Sequence, residues 1–204
     1  MSKPRFSIII PHYQGSISHD IFLRGINSVL NQTCTDYEVV CLHDGPLLKE
    51  EEFPVKVTCT NTRYQDWGHS LRDWGIKKAS GDYLIFMNPD NVLEPNALEV
   101  LSNYDDDIIV FGLEMVGMEE KIMPDGSYRR WYSTPRNEAK SVVLTGNPVA
   151  YGNIDCMQLV MKRDKWISFG GWSDKREQSD YFLYSNLDKK YNFKYIADTL
   201  GKHY

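Results

Sequence analysis

The sequence predicts an α/β protein built on a doubly wound, mostly parallel β-sheet. Apolar, β-branched runs alternate with segments of helical periodicity over roughly the first 110 residues, which is typical of strands linked by helices. Runs such as EVVCL at 38–42 carry apolar residues on both faces, as expected for strands covered by helices on each side. Three runs end in polar motifs, Pro11-His12-Tyr13, Asp44-Gly45 and Asn88-Pro89-Asp90. The carboxyl edge of such a sheet is where ligands bind, so these motifs predict one shared site.

The first half of the chain contains five predicted strands and four predicted helices. The strands are predicted at 5–10, 37–43, 55–60, 82–87 and 107–115, and the helices at 19–31, 47–52, 66–79 and 95–104. Helix 19–31 has apolar residues three and four positions apart. Gly81 is expected to cap the helix before it, and Pro95 is expected to begin the last helix.

The second half is less regular. Residues 115–150 are polar and rich in turn formers, and Pro124-Asp125-Gly126 predicts a hairpin turn. After this segment the sequence predicts a strand at 153–164, a short helix to Phe169, a helix at 179–189 and a last strand at 193–197. We therefore expect a single domain with two halves, residues 1–112 and residues 113–204.

The composition excludes several classes of protein. The chain has 204 residues and a formal net charge of −5, so it is long enough for a buried core but has no positive excess for duplex nucleic acid or an anionic membrane. It contains no secretory leader and no apolar run of about 18 residues, so we expect a soluble protein without a membrane span. The sequence ends directly after a strand-like run, as the first domain of a longer protein would.

The four cysteines do not form a metal motif. None has the spacing of a zinc site, and Cys41 and Cys59 lie in apolar runs. We expect these two to be buried thiols, which fits a reducing compartment such as the cytoplasm.

The usual phosphate-binding loops are absent. There is no G-x-G-x-x-G after the first strand, no P-loop and no G-x-S-x-G or H-E-x-x-H motif, which argues against nicotinamide, flavin, hydrolase and zinc-protease sites. A phosphate group would then have to be held in another way. A divalent cation on a carboxylate at a strand end, such as Asp90, is the simplest solution.

Four blocks, in order, carry a resemblance to a known family. FSIIIPHYQG, SVLNQTCTDYEVVCLHDG, GHSLRDWGIKKASGDYLIFMNPDN and FGGWSDKREQSDYFL together resemble the family 2 glycosyltransferases of the GT-A fold. The resemblance implies an inverting transfer of a sugar from a nucleoside diphosphate sugar to a hydroxyl of a glycan or glycoprotein. It implies a UDP-sugar donor, such as UDP-glucose or UDP-rhamnose, with Mn²⁺ or Mg²⁺ as cofactor. The first half would bind the nucleotide sugar, and the second half the acceptor.

The resemblance also implies roles for individual residues. The nucleotide-binding positions are Pro11, Tyr13, Asp44, Arg72, Asn88 and Asn91. Asp90 is the last acid of the metal-binding block, and His203 is a candidate second metal ligand. Asp180 matches the acid that serves as catalytic base, with Glu177 as the alternative base.

Departures from the family pattern leave alternatives open. Asn88 and Ser179 stand where the family has acids, and no Q-x-x-R-W motif of processive synthases occurs. A non-catalytic module that binds sugar nucleotides or glycans is therefore the second hypothesis. A nucleotidyltransferase ranks last, because the first loop has no lysine.

Three further segments have competing interpretations. Residues 105–107 match an acidic metal motif but precede a strand, which predicts that they lie at the opposite edge of the sheet. Trp172 is equally compatible with sugar stacking and with core packing. Residues 151–155 are a candidate acceptor-side segment.

Overall fold

A computed structural model describes residues 3–124, 128–172 and 179–204. Its strands are β1 (Phe6–His12), β2 (Tyr37–His43), β3 (Val57–Cys59), β4 (Tyr83–Phe86), β5 (Val92–Leu93), β6 (Ile108–Val116), β7 (Met118–Ile122), β8 (Tyr128–Tyr132), β9 (Ser141–Leu144), β10 (Leu159–Lys162) and β11 (Lys194–His203). Its helices are α1 (His19–Leu30), α2 (His69–Lys78), α3 (Ala97–Leu101), α4 (Arg163–Phe169) and α5 (Ser179–Asp188), with a 3₁₀ turn at Cys156–Gln158.

Nine strands form one sheet in the order β3-β2-β1-β4-β10-β6-β11-β5, with β9 paired to β6. Strands β1 to β4 are parallel, and β11 is parallel to β6. Strand β10 is antiparallel to both β4 and β6, so β4 and β6 run in the same direction. Six of the nine strands therefore share one direction, and the predicted α/β fold with a mostly parallel sheet is confirmed.

Helices cover both faces of the sheet, as the apolar strands require. In β1, Ile8 and Ile10 face a core that contains Phe22 and Ile26 of α1, whereas Ile9 faces a second core that contains Trp166 of α4 and residues of α2 and α5. All three isoleucines are buried. The alternation of side chains along a strand thus places every second residue of β1 in a different core.

Helix α1 lies unusually close to the segment that follows β4. A Cβ atom at Gly25 would overlap with the carbonyl oxygen of Pro89 and lie 2.9 Å from that of Asn91. Arg24, in the same helix, donates to the Asp90 carbonyl at 3.1 Å. A glycine at position 25 therefore allows the helix to support the backbone around Asp90.

Several predicted elements were wrong. Residues 47–52 form no helix; Glu51 accepts from Gln14 at 2.8 Å and pairs with Lys49 instead, and an isolated six-residue helix is marginal in any case. Helix α2 ends at Lys78, so Gly81 is not its cap. Cys59 is only half-buried, although Cys41 is buried as predicted.

The second half contains two strands, β7 and β8, that pair only with each other as a separate hairpin. The predicted turn between them falls partly on 125–127, outside the described residues. Within the described ranges, no helix has both the length and the apolar character needed to cross a bilayer.

Candidate functional site

A cavity of about 580 Å³ opens at the carboxyl edge of the sheet, where β1, β2 and β4 end. Five predicted site residues line it: Pro11, Tyr13, Asp44, Asn88 and Asp90. They come together because parallel neighbouring strands end at the same edge. The strand-end motifs therefore lie around one cavity, and their predicted roles in binding stay a prediction.

Asp44 organises one wall of this cavity. Its carboxylate accepts from the backbone N–H groups of Tyr64 at 2.7 Å and Gln65 at 3.1 Å. Gln65 and Trp67 both have left-handed backbone angles, with φ of 58° and 59°, a conformation that non-glycine residues rarely adopt. We infer that the carboxylate helps to hold this loop in a conformation that its sequence alone would not favour.

Arg63 belongs to the same wall and was not predicted from the sequence. Its guanidinium lies 3.5 Å from the centre of the Tyr13 ring, and its Nε is 3.7 Å from the Asp44 carboxylate. The ring of Tyr13 is thereby covered on one face by a cation. His12, which belongs to the first strand-end motif but has no role assigned from the sequence, also lines the cavity. Burial and the neighbouring His43 lower its pKa to about 4.

Arg72 lies behind the cavity rather than in its lining. It is 3% exposed, and its NH2 group donates to Asn88 Oδ1 at 2.6 Å while NH1 donates to the Trp67 carbonyl at 3.0 Å. The guanidinium also lies 4.9 Å from the centre of the Trp172 ring. Arg72 therefore orients Asn88 and the loop from inside the protein.

The residues around Asp90 have the chemistry of a site for a divalent cation. Among the described residues, the Asp90 carboxylate has no hydrogen-bond partner. Asn91 Nδ2 donates to Met157 sulfur at 3.3 Å, which leaves Asn91 Oδ1 to accept from His203 Nδ1 at 2.7 Å. With its proton on Nδ1, His203 would present the lone pair of Nε2 to a ligand. A carboxylate and an imidazole are both ligands that suit Mn²⁺.

Asp180, at the start of α5, is connected to Asn88 through Cys156. Its carboxylate accepts from the Cys156 N–H at 3.2 Å, and Cys156 Sγ is 3.8 Å from Asn88 Oδ1. Burial, followed by the nearby Asp155 carboxylate, raises the pKa of Asp180 to about 6. A carboxylate with this proton affinity is suited to accept a proton near neutral pH.

A buried cluster supports the start of α5. Ser179 Oγ lies 2.8 Å from Trp172 Nε1 and 2.9 Å from His69 Nε2, and the His69 and Trp172 rings are stacked. Trp172 is only 1% exposed, so it packs in the core and cannot stack on a sugar. Glu177, the alternative base, lies outside the described residues.

The acidic run at residues 105–107 lies at the opposite edge, as predicted. The Tyr83 hydroxyl donates to Asp105 at 3.1 Å, and Tyr83 is the first residue of β4. Lys162 and Lys165 pair with Asp107 there. These carboxylates therefore cannot reach the cavity.

With this geometry established, comparison with known proteins identifies the family. The family described as "Glycosyl transferase family 2" matches residues 7–162, about three quarters of the chain. The chain belongs to glycosyl transferase family 2. The match includes β1 to β4 and the antiparallel strand β10, and with them all the residues that line the cavity, whereas Asp180 and His203 lie beyond it.

Several proteins similar to this glycosyltransferase family 2 chain are longer than it is. An uncharacterized glycosyltransferase of Rickettsia typhi is 28% identical over 63% of this chain and 43% of its own length. The poly(ribitol-phosphate) beta-N-acetylglucosaminyltransferase TarP of Staphylococcus aureus is 31% identical over 55% of this chain and 38% of its own length. The chain thus spans less than half of these relatives.

Among solved structures, that of S. aureus TarS residues 1–349 superposes with a TM-score of 0.71 at 14% identity. The superposition covers 98% of this chain and 60% of the TarS chain. TarS has also been solved in complex with UDP-GlcNAc, and that structure superposes with a TM-score of 0.69 at 13% identity. At these identities the likeness establishes the GT-A-like fold alone.

The second half of this family 2 chain adds residues that the sequence analysis did not identify. Arg130, on β8, donates to the Gly152 carbonyl at 2.6 Å and to Asn153 Oδ1 at 3.2 Å. The β7–β8 hairpin therefore contacts residues 151–155, the candidate acceptor-side segment, through Arg130. This bond joins positions more than 20 residues apart, and no local sequence pattern indicates it.

Proposed function

We propose that the protein is an inverting, metal-assisted glycosyltransferase that moves a sugar from a UDP-sugar to a hydroxyl of a glycan or glycoprotein. The proposal depends mainly on the position of Asn88. It lines the cavity between Asp44 and Asp90, and it also contacts Cys156, whose N–H binds Asp180. A nucleotide-sized cavity and a carboxylate with raised proton affinity are thus linked through one side chain.

The nucleoside would occupy the wall formed by Tyr13, Asp44 and the loop that Asp44 holds. Its diphosphate would extend towards Asp90. Asp90 and His203 would hold Mn²⁺ or Mg²⁺, which when bound would neutralise charge that develops on the leaving diphosphate. Asn91 would keep His203 in the tautomer that this ligation needs.

Asp180 would act as the general base. It accepts the proton of the acceptor hydroxyl while that oxygen forms a bond to the anomeric carbon, and the bond from that carbon to the diphosphate breaks on the opposite face. The step yields the glycoside, UDP and a protonated Asp180. Because the pKa of Asp180 is raised to about 6, the base is ionised above this value, and the rate should fall as the pH drops through it.

A donor screen tests the proposal. UDP-, GDP- and dTDP-sugars are incubated with the protein and Mn²⁺, and nucleotide release is measured with and without candidate acceptors. UDP-glucose, UDP-rhamnose and UDP-GlcNAc are included, the last because TarS has been solved with it. We expect release from UDP-sugars. Binding without any release across the screen would instead favour a non-catalytic module that binds sugar nucleotides, the function suggested by Asn88 and Ser179 in place of acids.

Replacing Asp44 by alanine is expected to weaken UDP binding about tenfold or more. The loop at 63–68 loses two hydrogen bonds to a carboxylate, each of a type worth about 1.5–3 kcal/mol. Isothermal calorimetry with UDP measures the effect, and the exposed Asp188→Ala variant on α5 is the control. Unchanged affinity in Asp44→Ala would place the nucleoside pocket elsewhere.

A further inference from the structure

A second carboxylate lies beside the proposed base. Oxygen atoms of Asp155 and Asp180 and the Cys156 sulfur all lie within 4.8 Å of one another. Asp155 immediately precedes the 3₁₀ turn at Cys156–Gln158, and Asp180 begins α5. Two elements that are distant in sequence thus bring two acids into one half-buried position.

Local hydrogen bonds fix Asp155 in place. Its carboxylate accepts from the Met157 N–H at 2.9 Å, and its own N–H donates to Gln158 Oε1 at 2.9 Å, which together form a capping box. The Tyr184 hydroxyl, from α5, donates to the Asp155 carbonyl at 2.8 Å. Asp155 is therefore held against α5 by both its neighbours and the helix that carries Asp180.

Charged and titratable groups from several described elements face this pair. Among the residues that the structure describes, Arg72, from α2, is a cation whose charge acts on Asp180, and its NH2 lies 3.5 Å from Cys156 Sγ. The buried Cys156 thiol and Tyr184 hydroxyl have pKa values raised well above their usual range, so both are neutral. The pKa of Tyr132, on β8, is raised by burial first and in smaller part by the Asp155 charge, and Ser179 contacts His69.

The charge of Arg72 argues against a metal ion between Asp155 and Asp180. A guanidinium beside the pair disfavours a further cation between the two carboxylates. Two acids that share a partly buried position instead interact directly, so that one holds its proton more tightly than it would alone.

We propose that Asp155 is a positioning residue of the base site, whose carboxylate forms one acid–base pair with Asp180 and so sets the pH range in which Asp180 accepts the acceptor's proton. This inference rests on the proposed transfer function. No new bond or reagent is involved: Asp180 takes up the proton from the acceptor, and the nearby Asp155 carboxylate strengthens the hold of Asp180 on that proton.

The Asp155→Asn variant tests this pairing. Asparagine caps a helix as well as aspartate does, so the turn at 156–158 is preserved while the charge is removed. We expect the acidic limb of the kcat/KM profile to move to lower pH by about one unit, because the pKa of Asp180 falls when the neighbouring charge is lost. Asp188→Asn, on the same helix but exposed, is the matched control and should leave the acidic limb in place.

A second measurement does not depend on turnover. The Asp180 carboxyl carbon is titrated by NMR in the full chain and in Asp155→Asn, and the signal is assigned with Asp180→Asn. We expect the Asp180 midpoint to fall in Asp155→Asn and to stay unchanged in Asp188→Asn. An unchanged midpoint would overturn the pairing even if transfer is observed, whereas a shifted midpoint without any sugar transfer would reject the transfer function alone. Inactivity of Asp155→Asn at every pH, with an active Asp180→Asn, would also overturn it, because Asp155 would then be the base.

Discussion

Replacing Asp180 by asparagine is expected to slow sugar transfer at least about a hundredfold while donor binding stays intact. Asparagine has nearly the same shape as aspartate, so the hydrogen bond from the Cys156 N–H can persist. It cannot accept a proton, however, and loss of a general base typically costs about 10²–10⁴-fold in rate. Transfer is measured as UDP release with acceptor under single-turnover conditions, and donor affinity is measured by calorimetry.

The same assay on Glu177→Gln separates the two candidate bases. If Asp180→Asn transfers sugar at nearly the normal rate while Glu177→Gln is inactive, Glu177 is the base. If both variants remain active, the inverting mechanism is wrong. Asp188→Asn provides the baseline for removing an exposed acid from α5.

Replacing Asp90 by alanine is expected to reduce turnover by about a hundredfold or more and to abolish the Mn²⁺ dependence of UDP binding. Asp90 is the acid that follows β4 in the cavity wall, and loss of a hundredfold corresponds to about 2.7 kcal/mol of transition-state stabilisation. The measurements are turnover with and without chelator, and UDP affinity over a Mn²⁺ titration.

Two further variants make the metal assignment specific. Asp105→Ala removes an acid from the opposite edge and should behave like the unmodified protein. His203→Ala should weaken the Mn²⁺ dependence less than Asp90→Ala, because the carboxylate and the diphosphate oxygens remain. Normal turnover and normal Mn²⁺ dependence in Asp90→Ala would remove Asp90 from the metal site.

The parts of the site that could be predicted from the sequence are those that depend on strand ends. Tyr13, Asp44 and Asp90 each follow directly on an apolar run, and parallel pairing then brings them together. The direction of β10 could not be predicted in this way. An apolar run of four residues carries no information about the direction of the strand in the sheet. The antiparallel direction of β10 follows only from its pairing with β4 and β6.

That missing direction explains why the sequence predicts Asp155 only as the end of an acceptor-side segment and not as a neighbour of Asp180. Because β10 runs against β4, the residues before β10, rather than those after it, lie at the carboxyl edge of β4. A parallel strand would have placed residues 155 and 156 at the far edge. Arg63 was missed for a different reason: its contact with Tyr13 depends on a loop with left-handed residues, which the sequence pattern does not indicate.

The position of β10 also constrains how the chain can reach its native state. Strands β4 and β6 are separated in the sheet by β10, which is more than 40 residues further along the chain than β6. During synthesis, β4 therefore has an unpaired edge until residues 159–162 have emerged, and an unpaired apolar strand is prone to associate with other chains. Pairings so distant in sequence form slowly, because the entropy of closing a long loop is lost first. A fragment that stops after β6, at residue 116, would contain both neighbours of β10 but not β10 itself, which joins them.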